Sequence, residues 1–171
     1  MIEFRREQEA DRSEVYRIHA DAFARNDEAD LVDKLRHNKQ FNPELSFVVL
    51  KDRQIVGHIL FTPIEIQGKS ISSLALAPIS IRKEWQNQGL GSQLIQYALN
   101  EIKIKGFQSV VVLGHENFYP KFGFVPAKQF HIRPPFNLEN ENCFMVLELV
   151  PGAIPKDESQ GVVQYLPEFG L

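Results

Sequence analysis

The chain has 171 residues, a length that favours a single domain and suffices to bury a core without covalent staples. Hydrophobic residues make up 43% and charged residues 24%, with a net charge of -3 and no basic run, so the electrostatic footprint of a nucleic-acid binder is missing. One cysteine, Cys143, excludes an internal disulfide framework and a cysteine-based zinc site; the histidines are scattered without ligand spacing, and no metal is expected.

Residues 1–12, MIEFRREQEADR, lack the apolar run of a signal peptide, and no stretch approaches the ~20 apolar residues that cross a bilayer. The expected location is the cytoplasm, away from membranes. "IEFRRE" reads as a first strand. "ADRSEVYRIHADAFA" follows as an amphipathic helix with Val15, Ile18 and Ala22 on one face and His19 at its edge. "DEADLVDKLRHN" forms a second helix whose acidic start and basic end complement its dipole. His19 and His37, isolated in sequence, read as a core-edge and a surface residue, and Cys143 in its apolar run reads as core.

Three β-branched, apolar runs come next: "LSFVVL", "QIVGHILFTPIEI" and "SISSLALAPISI", joined by the turns "KDRQ" and "QGKS". This is an antiparallel meander. Pro63 and Pro78 each remove a ladder donor and mark a bulge or a departure from the neighbouring strand. After "RKEWQNQGLGS" a helix presents Leu90, Leu94, Ile95, Ala98 and Ile102 on one face and closes at Gly106, before the buried strand "FQSVVVLG". Strand, helix, strand makes one right-handed βαβ unit in an otherwise antiparallel sheet. Beyond it lie a short helix or turn at "HENFYPKFGF", an irregular "HIRPPFNLEN", a strand at "CFMVLELV" and the tail "VVQYLPEFGL". The fold class is therefore α+β: a mixed, mostly antiparallel central sheet with helices on both faces. Residues 1–171 form a single domain, with a core over 1–150 and a C-terminal extension over 151–171. The extension adds a strand to its own sheet, giving a monomer, or to a partner's, giving a homodimer.

The loop "QNQGLGSQL" fits one of three phosphate-binding templates. A P-loop lysine is missing, and the third glycine of a dinucleotide fingerprint is replaced by Leu94. Gln-x-x-Gly-x-Gly between a strand and a helix is satisfied by Gln86, Gly89 and Gly91. Glycines there let a pyrophosphate approach the main chain, where the amides of residues 87–92 and the helix dipole meet it. No acid occupies 85–92 to neutralise that potential.

"LAPISIRKEWQNQGLGSQLI" resembles the core motif of the GNAT superfamily of acyl-CoA-dependent N-acetyltransferases, and "FYPKFGF" resembles its second signature. "VVVLGHENFYPKFGFVPA" and "YLPEFGL" are similar to a subgroup of small bacterial acetyltransferases. The resemblance implies acetyl-CoA as cosubstrate, held by the strand Ile79, Ser80 and Ile81 and by Gln86, Asn87, Gln88, Gly89, Leu90, Gly91 and Ser92. It also implies direct transfer to a primary amine of a small molecule or peptide in a ternary complex, with Tyr119 as general acid on the CoA thiolate. Trp85 reads as a packing residue beside the loop.

His115, Glu116 and Glu65 are candidates for a base, His115 foremost. Some family members carry a glutamate on a core strand, whereas "SSLALAPISI" has no acid. That departure points to a water relay or a low-pKa acceptor, and leaves a non-catalytic acyl-CoA sensor or interaction module as the alternative reading.

Overall fold

Two thirteen-residue strands, β3 (Gln54–Ile66) and β4 (Lys69–Ile81), carry the frame of the molecule. The computed structural model describes all 171 residues. In chain order the elements are β1 (Ile2–Arg6), α1 (Arg12–Phe23), α2 (Asp27–Leu35), β2 (Ser46–Lys51), β3, β4, α3 (Leu90–Ile104), β5 (Ser109–Leu113), β6 (Val125–Pro126), β7 (Ile132–Arg133), β8 (Phe144–Glu148) and β9 (Gly161–Gln164). Hydrogen bonding links the main path of strands in the order β1-β2-β3-β4-β5-β8-β6. The chain divides into two compact units, residues 1–62 with 77–101 and residues 63–76 with 102–171. No helix is long and apolar enough to cross a membrane.

In the first unit β1, β2 and β3 pair antiparallel, with the β2–β3 register shifting between Val49 and Leu50. The turn between them places Asp52 and Arg53 at φ 48 and 70, which closes a tight hairpin. Val15 and Ile18 of α1 bury against Val48, Leu50 and Ile55. Phe47, one residue along and so on the opposite face, meets Tyr97 of α3 edge-on at 5.9 Å, and Tyr97 stacks on Phe4 at 5.4 Å. Helices thus cover both faces of these strands. Asp11 fixes the entry to α1: its carboxylate accepts the Gln8 amide at 2.7 Å and the Arg5 guanidinium at 2.6 and 3.0 Å.

In the second unit Ser73–Ala75 of β4 run parallel to Ser109–Val111 of β5, and β5 pairs antiparallel with β8. Ser73 and Ser109 share a buried hydroxyl contact at 2.5 Å across the parallel pair. Ile64, Val111, Phe144, Val146 and Val163 form the centre of this unit's core. The tail adds its strand to its own sheet: Val163 and Gln164 of β9 pair with Ile66 and Glu65, while β7 runs parallel to β9. Gly161 makes this approach, since a Cβ there would lie 2.7 Å from Ile66 Cγ2.

Pro63 lies within β3, whose pairing with β2 ends at Leu60. Pro78 lies within β4, after a cis Ala77–Pro78 bond, and the parallel pairing with β5 stops at Ala75, so β4 leaves that neighbour just ahead of the proline. One expectation shifts in detail. Cys143 is only partly buried, because it belongs to a 3-10 turn ahead of β8 rather than to the strand.

Candidate functional site

The glycine loop grows out of the end of β4. Arg82 donates its amide to Val56 O at 2.8 Å, so alternate residues Ser80 and Arg82 turn their backbone groups toward β3. Those of Ile79 and Ile81 face the other way. After a 3-10 turn at Lys83–Trp85, Gln86 folds back and donates Nε2 to Ile81 O at 2.8 Å. Gln88 donates to Glu84 O at 3.0 Å, and Asn87 and Gly89 adopt φ 60 and 83. The two left-handed residues turn the chain sharply into α3. Gln93 donates its amide back to Gly89 O at 3.1 Å, and a helix start of this kind presents its leading amides outward. The first turn of α3 contains no acidic residue.

The two glycines have different reasons. Gly89 is demanded by its positive φ, which a side chain tolerates poorly. Gly91 has ordinary helical backbone, and a Cβ there would only touch Ile81 Cγ1 at 3.7 Å. Nothing within the protein needs a glycine at that position, although glycine costs a helix about 1 kcal/mol relative to alanine. Its bare backbone fits a group that approaches from outside. Trp85 is half-buried, with Lys51 Nζ 4.9 Å from its ring centroid, the packing role expected of it.

Tyr119 opens a 3-10 turn, Tyr119–Phe122, in the second unit. Its amide and that of Phe118 point to His115 O at 3.4 and 3.1 Å. Phe118, Phe122 and Phe124 surround the ring at 5.0, 6.4 and 5.6 Å. Burial pushes its hydroxyl up to about 12. Gly114 supports it from beneath, because a Cβ at that position would lie 2.3 Å from Tyr119 Cε2. His115 is exposed, and with Glu116, Asn117, Phe118, Asn140 and Cys143 it lines an open hollow of about 530 Å³. Glu116 accepts from Asn140 Nδ2 at 3.1 Å, and Glu65 is exposed opposite Gln164 on β9. A further cavity of about 460 Å³ in the same unit is lined by Lys128, His131, Arg133, Phe136, Leu138 and Glu141 among others.

Ser80 has a second life that sequence reasoning missed. Its side chain leaves β4 on the α1 side and joins His19, His58, Ser46 and Glu7 in one buried hydrogen-bonded line. His19 is therefore central rather than at a core edge. No short-range signal announces this cluster, since its members come from five separate segments.

Residues 42–126 match the acetyltransferase (GNAT) domain model. The N-acetyltransferase YjhQ of Escherichia coli K12, uncharacterised by name, is 34% identical over 145 residues, covering 82% of this chain and 80% of the relative. The chain belongs to the GNAT acetyltransferases. Its GNAT relative YhbS, also from Escherichia coli K12, is 30% identical over 149 residues, 86% of each chain. The crystal structure of YhbS in complex with CoA superposes with a TM-score of 0.90 at 27% identity, covering 99% of this chain and 92% of that one. A GNAT acetyltransferase from Brucella melitensis, solved with acetyl-CoA, gives 0.78 at 29% identity, with 99% and 98% coverage. Like them, this GNAT chain is an N-acetyltransferase with a mixed, mostly antiparallel sheet.

Proposed function

We propose that this enzyme moves the acetyl group of acetyl-CoA to a primary amine of a small molecule or peptide by direct attack. Gln86–Ser92 would hold the pyrophosphate, and the outward backbone groups of Ile79 and Ile81 the pantetheine arm. The observation that carries the reading is the first turn of α3: free of acids, preceded by a sharp left-handed turn, and bearing a glycine at 91 that no internal contact explains. The CoA and acetyl-CoA bound by the two solved relatives support the same assignment. Gln86, bonded to Ile81 O, would act by bracing the loop against the strand.

Bound acetyl-CoA supplies an activated acyl carbon and a thiolate leaving group. Tyr119 is the proposed acid for that thiolate. Its hydroxyl, pushed up to about 12 by burial, keeps its proton at every physiological pH. The same desolvation strengthens a thiolate's hold on a proton, which narrows the gap between donor and acceptor. The attacking amine must be neutral: a lysine-like amine near pKa ~10.4 needs about 4–5 kcal/mol to lose its proton at pH 7, an α-amine near ~8 only about 1. His115, exposed one turn before Tyr119, is the proposed proton acceptor on that segment. Arg133 and Lys128 in the 460 Å³ cavity offer cations to an acceptor bearing a carboxylate.

Calorimetric titration of the protein with acetyl-CoA and CoA, beside a Gly89→Glu variant, tests the cofactor site. Saturable binding abolished by the glutamate is the expected result. No binding by the wild type at millimolar ligand overturns the reading. Tyr119→Phe should keep acetyl-CoA affinity and lose turnover of an amine panel by about 100-fold, within the range of acid–base contributions. Binding with no turnover of any amine would favour an acyl-CoA sensor instead.

A further inference from the structure

Five side chains of the first unit form a continuous line of hydrogen bonds that the acetyl-transfer reading leaves unused. Ser46 Oγ donates to Glu7 Oε2 at 2.6 Å and lies 2.8 Å from His58 Nε2. His58 Nδ1 is 2.7 Å from His19 Nε2, and His19 Nδ1 is 2.8 Å from Ser80 Oγ. His19 and His58 are 0% exposed, Ser46 1% and Ser80 6%. At the far end Arg36 clamps Glu7 and also reaches Asp33 at 2.5 Å.

One set of hydrogen positions satisfies every contact. The Ser46 hydroxyl is committed to the carboxylate, so its oxygen accepts from His58 Nε2–H. His58 Nδ1 must then accept from His19 Nε2–H, and His19 Nδ1 from the Ser80 hydroxyl. All donors point toward Glu7, and Ser80 Oγ is left with lone pairs at the least buried of the four interior positions. A line of this kind is an expensive way to fill a core, since buried polar and ionic groups are often replaced by apolar ones at no loss of stability. Ser80 also stands between Ile79 and Ile81, the strand residues assigned to the coenzyme.

We propose that this line is a proton relay for the acceptor amine, entered at Ser80. As the amine nitrogen bonds to the acyl carbon and the carbon–sulfur bond breaks, Ser80 Oγ takes the proton that the amine loses. The Ser80 proton passes to His19 Nδ1, and the His19 Nε2 proton passes to His58 Nδ1. One proton enters and one N–H is added at His58. Ser80 ends as it began, and His19 changes only its tautomer. The resulting His58 imidazolium faces the Glu7 carboxylate at 3.7 Å, which steadies it without being protonated, as a buried carboxylate does in a serine-protease triad. The proton leaves by the reverse hops after product release. Desolvation, followed by the nearby His58 and Arg36, holds His19 down at about 2, so it hands the proton on rather than storing it. Burial opposes ionisation of Glu7, but His58, Ser46 and Arg36 outweigh it and draw the carboxyl down to about 2. The relay rests on the acetyl-transfer reading, replaces exposed His115 as the acceptor of the amine proton, and supplies the base that acid-free β4 lacks.

The test compares wild type with Ser80→Ala and His58→Gln. Acetyl-CoA binding is measured by calorimetry, and turnover of glycinamide and of Nα-acetyl-lysinamide is followed across pH. Ring nitrogens of the histidines are read by ¹⁵N NMR. The relay predicts unchanged acetyl-CoA affinity in His58→Gln and a kcat for the lysine-like probe lowered about 100-fold or more in both variants. It also predicts a smaller loss for glycinamide and a changed pH profile in both variants. Wild-type kcat and an unmoved pH profile in Ser80→Ala, which removes one atom and spares the fold, would overturn it. The NMR arm needs no acceptor. Protons on Nε2 of both rings at neutral pH are the required result; a proton on His58 Nδ1 at neutral pH sinks the relay. Failure of wild type to bind acetyl-CoA would instead strike the acetyl-transfer reading.

Discussion

Tyr119 lies so close over Gly114 that a Cβ on the glycine would come within 2.3 Å of Cε2 and 2.9 Å of Cδ2 of the ring. The pair couples the end of β5 to the turn that carries the proposed acid. Gly114→Ala should push the ring from its aromatic nest and destabilise the protein by about 1–3 kcal/mol, the usual range for overpacking. Turnover should fall as far as in Tyr119→Phe, with acetyl-CoA affinity held. Urea unfolding and calorimetry on the two variants check both halves.

Gly91→Ala separates stability from binding. The new methyl meets Ile81 at an ordinary 3.7 Å and removes a flexible residue from a helix, so the fold should gain up to about 1 kcal/mol. Acetyl-CoA affinity should drop at least tenfold, because the methyl would occupy the space proposed for the pyrophosphate. A higher melting temperature with unchanged affinity would remove Gly91 from the cofactor site.

Acid should weaken the fold in two stages. His19 sits near 2 in the folded protein against 6.5 unfolded, so its contribution is complete above pH 6.5 and declines as pH falls below it. The slope is about 1.4 kcal/mol per pH unit, or about 2 kcal/mol lost by pH 5. Glu7, near 2 against 4.5, adds its own loss below pH 4.5. Denaturant midpoints between pH 7 and 3 should show both breaks, and His19→Gln should erase the first.

Arg36 and Glu7 are paired with side-chain exposures of 5% and 6%. Arg36→Ala strands a buried carboxylate and should cost about 3–5 kcal/mol. Glu7→Gln in the same background should recover part of that loss in chemical denaturation, whereas a surface pair would show no such coupling.

How much of this could be read from the chain depends on the range of each interaction. β3 spans the stretch 54–66 set out by its alternating and β-branched residues, and the acid-free start of α3 was visible from "QNQGLGS", because both signals are local. Tyr119 follows from the resemblance of "FYPKFGF" to the family's second signature, but its support at Gly114 does not, since a glycine's need for space depends on a ring that folds back over it. The histidine line escaped for a stronger reason. His19 and His58 are 39 residues apart and His19 and Ser80 are 61 apart, and no periodicity connects a helix face to two strand faces. Isolated histidines in a sequence look alike until the topology brings them together.

The two units differ in when their parts become available during synthesis. Residues 1–62 and 77–101 are all present once about three-fifths of the chain has been made, with 63–76 as an excursion between them, whereas the second unit waits for β9 at 161–164 to reach Glu65 and Ile66. The glycine loop and the histidine line both belong to the earlier part. On a ribosome adding roughly 5–20 residues per second, the half proposed to hold the coenzyme can therefore be assembled seconds before the half that carries Tyr119 is closed.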